Sequence, residues 1–213
     1  LSSAASDVYK RQTLQNGREI GLATIAFVNQ KKNGQTYSAA DIVVEGFEEV
    51  DFYFLERIYQ RKHGIPWRVI ETERTYLREM TVEDVEALYE IYAQEGMTDF
   101  IEPLCEKRED EIAYTKAYIE NMYVYYGYGM WLVCDRENGE IIGRAGLNTQ
   151  EIEDEIVLEM GYLIRQEYQR QGYAYEVCTA IMDYAKEASG FSELSCLVEE
   201  AVSYTHLRAH ETE

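Results

Sequence analysis

Apolar positions along this chain change their period several times, and each change marks an element. "IGLATIAFV", from Ile20 to Val28, is a nearly continuous apolar run begun beside a glycine, and it reads as a buried strand. A second short run, Asp41–Val44, follows. Phe47, Val50, Phe54, Leu55 and Ile58 then recur at helical spacing up to His63–Gly64. Pro66–Trp67 punctuates the chain. From Thr75, "TYLREM" alternates like a strand. "TVEDVEALYEIYAQEG" opens on Thr81 with Asp84 three residues later, a capping-box-like start, carries a stripe of Val85, Leu88, Tyr89 and Tyr92, and stops at Gly96. "EDEIAYTKAYIENMYVYYG" reads as a second helix ended by Gly127. Two apolar runs around Asn138–Gly139 predict a hairpin. A strand over Ile156–Ile164, a loop over 165–171, a helix over about Gly172–Ala188 and one last strand in "SELSCLVEE" complete the order.

The opening and closing stretches are unlike the rest. A DNA reading of Asp7–Gln12, taken on the opposite strand in another frame, encodes Val202–Leu207. Residues 1–12 and 201–213 therefore resemble a translated sequencing adapter, and are expected to stand outside the fold, as engineered scars do. On that reading the natural gene continues on both sides, and His206 and His210 are not ligands.

The length suits one ordinary domain or one plus a fragment, and 46% hydrophobic with 28% charged residues is a globular composition. No run approaches the ~20 apolar residues that span a bilayer, and no signal peptide is evident, so a cytoplasmic location without membrane contact is expected. Cys105, Cys134, Cys178 and Cys196 are scattered without metal-ligand spacing, which predicts free thiols and no metal. Forty acidic against twenty basic residues give a net charge of -20, which repels nucleic acid and favours cationic partners such as amines.

The most specific chemistry lies in "YLIRQEYQRQGYAYE", Tyr162 to Glu176. Gln169, Gly172 and Ala174 sit between a strand and a helix start. Unpaired N–H groups at a helix N-terminus make an anion site, and a glycine lets a diphosphate approach the main chain. Small Ala174 lets the helix pack closely, and Gln169 and Arg170 offer side-chain donors.

These residues resemble the acetyl-CoA motif Q/R-x-x-G-x-G/A of the GNAT superfamily of N-acetyltransferases, in particular the ribosomal-protein branch. "REMTVEDVEALYEIY", "YGMWLVCDRENGEIIGRAGL" and "EMGYLIRQEYQRQGYAYE" are similar, in order, to that family's first strand and helix, second and third strands, and central signature. The resemblance covers residues 72–200. It implies an α+β fold: a mixed, mostly antiparallel sheet flanked by helices, here incomplete at the C-terminus. It implies acetyl-CoA as co-substrate. Tyr162, Leu163 and Ile164 would offer backbone groups to the pantetheine arm, and Gln169, Arg170, Gln171, Gly172, Tyr173 and Ala174 would cradle the pyrophosphate. Glu159 matches a position where relatives carry an acidic residue, and is either the general base or a solvated strand residue. Tyr123, Tyr125, Tyr126 and Tyr128 either line the acceptor pocket or pack the core. Arg144 either supports its strand or faces the substrate. The implied acceptor is an amine, a small molecule or a protein N-terminus. The family's C-terminal helix, with its thiolate-protonating tyrosine, has no counterpart after Glu200, so impaired activity is expected of this chain.

Residues 13–66 resemble, more loosely, the C-terminal end of a haloacid-dehalogenase-like hydrolase, on "AADIVVEGFEEV", without that family's nucleophilic aspartate. This predicts a small α/β fragment. The competing reading is therefore a phosphatase remnant fused to a non-catalytic CoA-binding module.

Overall fold

A computed structural model describes residues 12–28, 40–48, 50–99, 101–124, 126–152, 155–188 and 194–196. Residues 1–12 and 201–213 lie outside these residues, Gln12 apart. The chain divides into two compact units, Leu1–Trp67 and Arg68–Glu213.

In the first unit, residues 12–19 are helical (α1). Strands β1 (Ile25–Phe27) and β2 (Ile42–Val44) pair in parallel, and helix α2 spans Phe52–Lys62. The expected Ile20–Val28 strand is thus short, because a turn carrying Gly21 at φ 78° precedes it. Asp41 ties the unit together: its carboxylate accepts from the N–H and Oγ of Thr24, each at 2.8 Å, and from Lys62 Nζ at 3.0 Å. Burial would raise the Asp41 carboxyl, but the Lys62 and Thr24 bonds outweigh it and hold the group below its ordinary value. Asp51 caps α2 by accepting from Phe54 N–H at 2.8 Å. Phe47 and Val50 therefore precede this helix, and Ile58 is the one helix residue fully buried.

The second unit is built on a sheet of order β3–β4–β5–β6–β7, every neighbouring pair antiparallel: Arg68–Glu71, Thr75–Arg78, Met130–Asp135, Ile141–Ile152 and Glu155–Ile164. Short β3 was hidden in the sequence, since four residues after Trp67 carry little periodicity and are fixed as a strand only by pairing with β4. Between β4 and β5 the chain forms a 3-10 turn (Val82–Asp84) that runs into α3 (Val85–Tyr92), then α4 (Arg108–Tyr118), which continues as a π-helical turn over Ile119–Tyr123. A 3-10 turn (Gln166–Tyr168) and α5 (Tyr173–Ala188) follow β7. Ser195 bridges Glu159 in parallel, with Met160 N–H donating to Ser195 O at 2.8 Å and Ser195 N–H to Leu158 O at 2.9 Å. The sheet is therefore mixed and mostly antiparallel, flanked by helices.

Local chemistry explains the boundaries. Thr81 N–H and Oγ1 both donate to Asp84 Oδ2, at 2.8 and 3.0 Å, closing the expected capping box. Val85, Leu88 and Ile91 are the buried stripe of α3, while Tyr89 and Tyr92 lie half-buried on its flank. Gly139 takes φ 76° in the β5–β6 turn, which Asp135 organises by accepting from Glu137 and Asn138 N–H.

The core covers both faces of the sheet: on one, Trp131, Ala145, Leu147, Met160 and Ile164 face Val177, Cys178 and Ile181 of α5, and on the other Leu132 and Ile142 are buried with Leu88 and Tyr123. Tyr123 is fully buried; its hydroxyl donates to Met130 O and accepts Met80 N–H, while Tyr118 Oη accepts Met130 N–H at 2.7 Å. Two phenols thus anchor the start of β5, and Tyr123 does not line a pocket. Tyr128, nearly buried, bonds Thr149; Tyr126 is exposed; Tyr125 lies outside the described residues. Cys105, Cys134, Cys178 and Cys196 are free thiols, and burial pushes that of Cys178 up to about 12.

Candidate active site

The site begins where β7 ends. Met160 N–H and Leu158 C=O point outward to Ser195, whereas Arg165 N–H points inward to Ile142 O at 2.8 Å. Backbone groups alternate along an antiparallel strand. Tyr162 therefore turns its N–H and C=O to the open edge of β7, and neither has a partner among the described residues. Leu163, paired with Arg144, turns its main-chain groups into the sheet. Of the three residues expected along the pantetheine arm, Tyr162 is placed to offer both groups and Leu163 neither. Ile164 faces outward too, but its carbonyl accepts Gln169 Nε2 at 2.8 Å.

That last bond corrects an expectation. The Gln169 side chain closes the strand end instead of serving as a free donor. Gln171 behaves likewise, its Nε2 donating to Glu167 O. The donors of this loop are main-chain ones. Arg170 sits at φ 58° and Gly172 at φ 84°, left-handed conformations just before α5 starts at Tyr173. Glu176 N–H makes the first helical bond, to Gly172 O at 3.0 Å. Among the described residues, the amides of Arg170, Gln171, Gly172, Tyr173, Ala174 and Tyr175 find no acceptor. Six consecutive unpaired N–H groups on a helix N-terminus suit an anion with several oxygens. Gly172 is exposed at their centre.

Arg74, which the sequence did not single out, holds this loop. Its N–H and Nε donate to the two Glu176 carboxylate oxygens at 2.8 and 2.7 Å, its Nη1 donates to Gln171 O at 3.0 Å, and its guanidinium stacks 4.1 Å from the Tyr173 ring centre. A Cβ on Gly172 would lie 3.5 Å from Arg74 Nη2. The clamp spans about a hundred residues of chain, so no local pattern could reveal it.

Glu159 lies half-buried in the middle of β7, on the sheet face opposite the α5 core. Partial burial raises its carboxyl above the ordinary value, against a weaker opposing hydrogen bond from Gln150. Asn148, Gly161 and Gly146 share that face, with Arg144 farther along it, beside Tyr92 and Tyr118. A carboxylate of raised basicity thus stands upstream of a main-chain anion cradle on one strand, an arrangement suited to deprotonating a nucleophile beside a phosphate-tethered donor.

Residues 74–201 match the family described as "Acetyltransferase (GNAT) domain". The chain is 32% identical over 74 residues to the uncharacterized protein YkkB of Bacillus subtilis (strain 168), covering 35% of this chain and 43% of that one. It is 27% identical over 132 residues to the uncharacterized N-acetyltransferase YoaA of the same organism, covering 61% and 73%. This chain therefore spans less than half the length of YkkB. A GNAT-family acetyltransferase from Bacillus anthracis shares the fold at TM-score 0.51 and 19% identity, covering 62% of this chain and 75% of that one. With more than half of its length matched by the family that its motif, sheet and strand-end loop resemble, the chain belongs to the GNAT acetyltransferases.

Proposed function

We propose that this protein transfers an acetyl group from acetyl-CoA to a primary amine. The observation that carries the reading is the row of amides from Arg170 to Tyr175 without a protein acceptor, continuous with the open edge of β7 at Tyr162. Acetyl-CoA has the matching parts: a diphosphate for the amides and a pantetheine arm whose own amides can pair with a strand edge. Bound there, it supplies an acetyl group already activated as a thioester.

The residues divide the remaining work. The main chain of Arg170, Gln171, Gly172, Tyr173 and Ala174 holds the pyrophosphate, with Gln169 closing the strand end beside them and the dipole of α5 behind. Tyr162 and Ile164, with Leu163 between them, form the strand edge along the pantetheine. Glu159 accepts the proton of the attacking amine, directly or through one water, and its raised basicity suits that role. The acceptor is an amine, as a small molecule or a protein N-terminus.

Titration calorimetry of acetyl-CoA into the wild type and Gly172→Glu tests the reading. The glutamate puts a side chain and a negative charge where the diphosphate belongs, and binding is expected to vanish. Equal affinity in both proteins would remove the basis of the assignment.

A further inference from the structure

Arg144 is the anomaly of the second unit. Among its described residues, Arg68, Arg74, Arg78, Arg108, Arg136 and Arg165 each make an ion pair with a carboxylate, and Arg170 is exposed. Arg144 is half-buried and has no carboxylate partner among the described residues, in a chain with 40 acidic side chains. Its Nε is fully buried without a hydrogen-bond partner. Its Nη1 reaches Tyr92 Oη only at 3.4 Å, and its guanidinium lies 5.6 Å from the Tyr118 ring centre. A guanidinium carries five N–H donors in a planar fork that matches a carboxylate bidentately. Withdrawing that charge from water without an anion is costly, and proteins seldom do so.

The strand register says where the fork lies. Arg144 pairs with Leu163, Gly146 with Gly161 and Asn148 with Glu159. Side chains directly opposite share a face, so Arg144 and Glu159 stand on the same face, four residues apart along the strands, or about 13 Å at the main chain. The two glycines leave the floor between them without side chains of its own. On that side the Gly129 main chain closes over Gly146, and the Met130 methyl lies 3.5 Å from where a Gly161 Cβ would be. One end of the floor thus carries a proton acceptor and the other an unmatched cation.

We infer that Arg144 binds the carboxylate of the acceptor, with the Tyr92 hydroxyl beside it, so that the acceptor is a small amine bearing a carboxylate, of the amino-acid class. This rests on the acetyl-transfer reading and specifies its second substrate. The net negative charge favours cations at long range, but a buried guanidinium a few ångströms away decides what docks.

Initial rates with acetyl-CoA and matched acceptors test it: lysine against cadaverine, tyrosine against tyramine, with phosphoethanolamine as a second anion type. The wild type should prefer the carboxylated member of each pair. In Arg144→Gln the KM for that member should rise about 10–100-fold, kcat should move far less, and the preference should collapse, with Arg144→Lys recovering part of it. An unchanged acetyl-CoA dissociation constant in both variants separates this from misfolding. No preference in the wild type, a preference that survives Arg144→Gln, or a preference for phosphoethanolamine would overturn the inference. Should acetyl-CoA itself fail to bind, the transfer reading falls. Calorimetric titration of lysine and cadaverine into wild type and Arg144→Gln then decides Arg144 by itself: lysine binding lost in the variant supports the carboxylate site, and no lysine binding in the wild type refutes it.

Discussion

Arg74 Nε lies 2.7 Å from Glu176 Oε2 while the Arg74 N–H donates to Oε1, so the β3–β4 turn grips the first turn of α5 at both oxygens of one carboxylate. Burial would raise the Glu176 carboxyl, but the bonds from Thr72 and Arg74 outweigh it and hold it low, so the grip is charged at neutral pH. Arg74 touches Gln171 and Tyr173 as well, and so orients the amides of the loop. Arg74→Ala is expected to weaken acetyl-CoA binding roughly 10-fold, with a smaller loss in the thermal midpoint because the guanidinium is partly exposed. Calorimetry and a melting curve on the same samples decide this; a large midpoint loss with unchanged affinity would make Arg74 a stability residue only.

The Arg78–Asp84 fork is better buried. Nη1 and Nη2 meet the two carboxylate oxygens at 2.8 and 2.7 Å, and the same carboxylate closes the Thr81 cap. Burial pushes Asp84 up, and the Arg78 and Thr81 bonds bring it below the ordinary range. A carboxyl depressed on folding stabilises above its unfolded pKa of about 3.9, and that stability is lost as pH falls through the lower folded value. Asp84→Asn should cost about 3 kcal/mol at pH 7 by leaving Arg78 unpaired. Urea unfolding between pH 7 and pH 3 should show a shallower acid decline in the variant than in the wild type. Parallel declines would mean that Asp84 is not the group titrating.

Gly146 and Gly161 face each other across β6 and β7 yet should answer alanine very differently. A Cβ on Gly146 would lie 2.0 Å from Gly129 O and 2.8 Å from Met130 Cα, both main-chain atoms. On Gly161 it would meet only the end of the flexible Met130 side chain. Gly146→Ala is expected to destabilise by about 3 kcal/mol and Gly161→Ala by less than about 1 kcal/mol. Denaturant midpoints measure both, and equal losses would contradict the close β5–β6 approach.

Glu159 carries an activity prediction with a definite sign. As a base it works deprotonated, so turnover should fall as pH drops through its pKa. That limb should sit above the ordinary glutamate value because burial raises it. Glu159→Gln should lower kcat about 100-fold or more and abolish that limb, while stability at pH 7 does not fall, since removing a partly buried charge relieves desolvation. An unaltered pH profile in the variant would assign the base elsewhere.

Much of this could be read from residues that are neighbours in sequence. The 3.6 period of Val85, Leu88 and its neighbours, the Thr81–Asp84 cap and the Asn138–Gly139 turn depend on contacts within a few residues, and all three appear where the pattern places them. The glycine at residue 172 signalled a main-chain anion loop for the same reason: a positive φ is a local property. Misreadings arose where a side chain had a distant or unexpected partner. Gln169 looked like a phosphate donor until Ile164 O claimed its amide, and between pocket lining and core packing for Tyr123 the pattern could not choose until Met80 and Met130 claimed its hydroxyl.

By itself, then, the sequence determined the order of elements from β4 to α5, the strand-to-helix loop around Gly172 and the family those carry, because period, capping and turn chemistry act over a few residues. The tertiary structure alone decided that Arg74 clamps the loop, that Tyr162 and not Leu163 opens its main chain to the edge of β7, and that Arg144 stands unmatched on the Glu159 face. Strand register and long-range pairing set those facts. Both join residues far apart in the chain, whose distances no local pattern encodes.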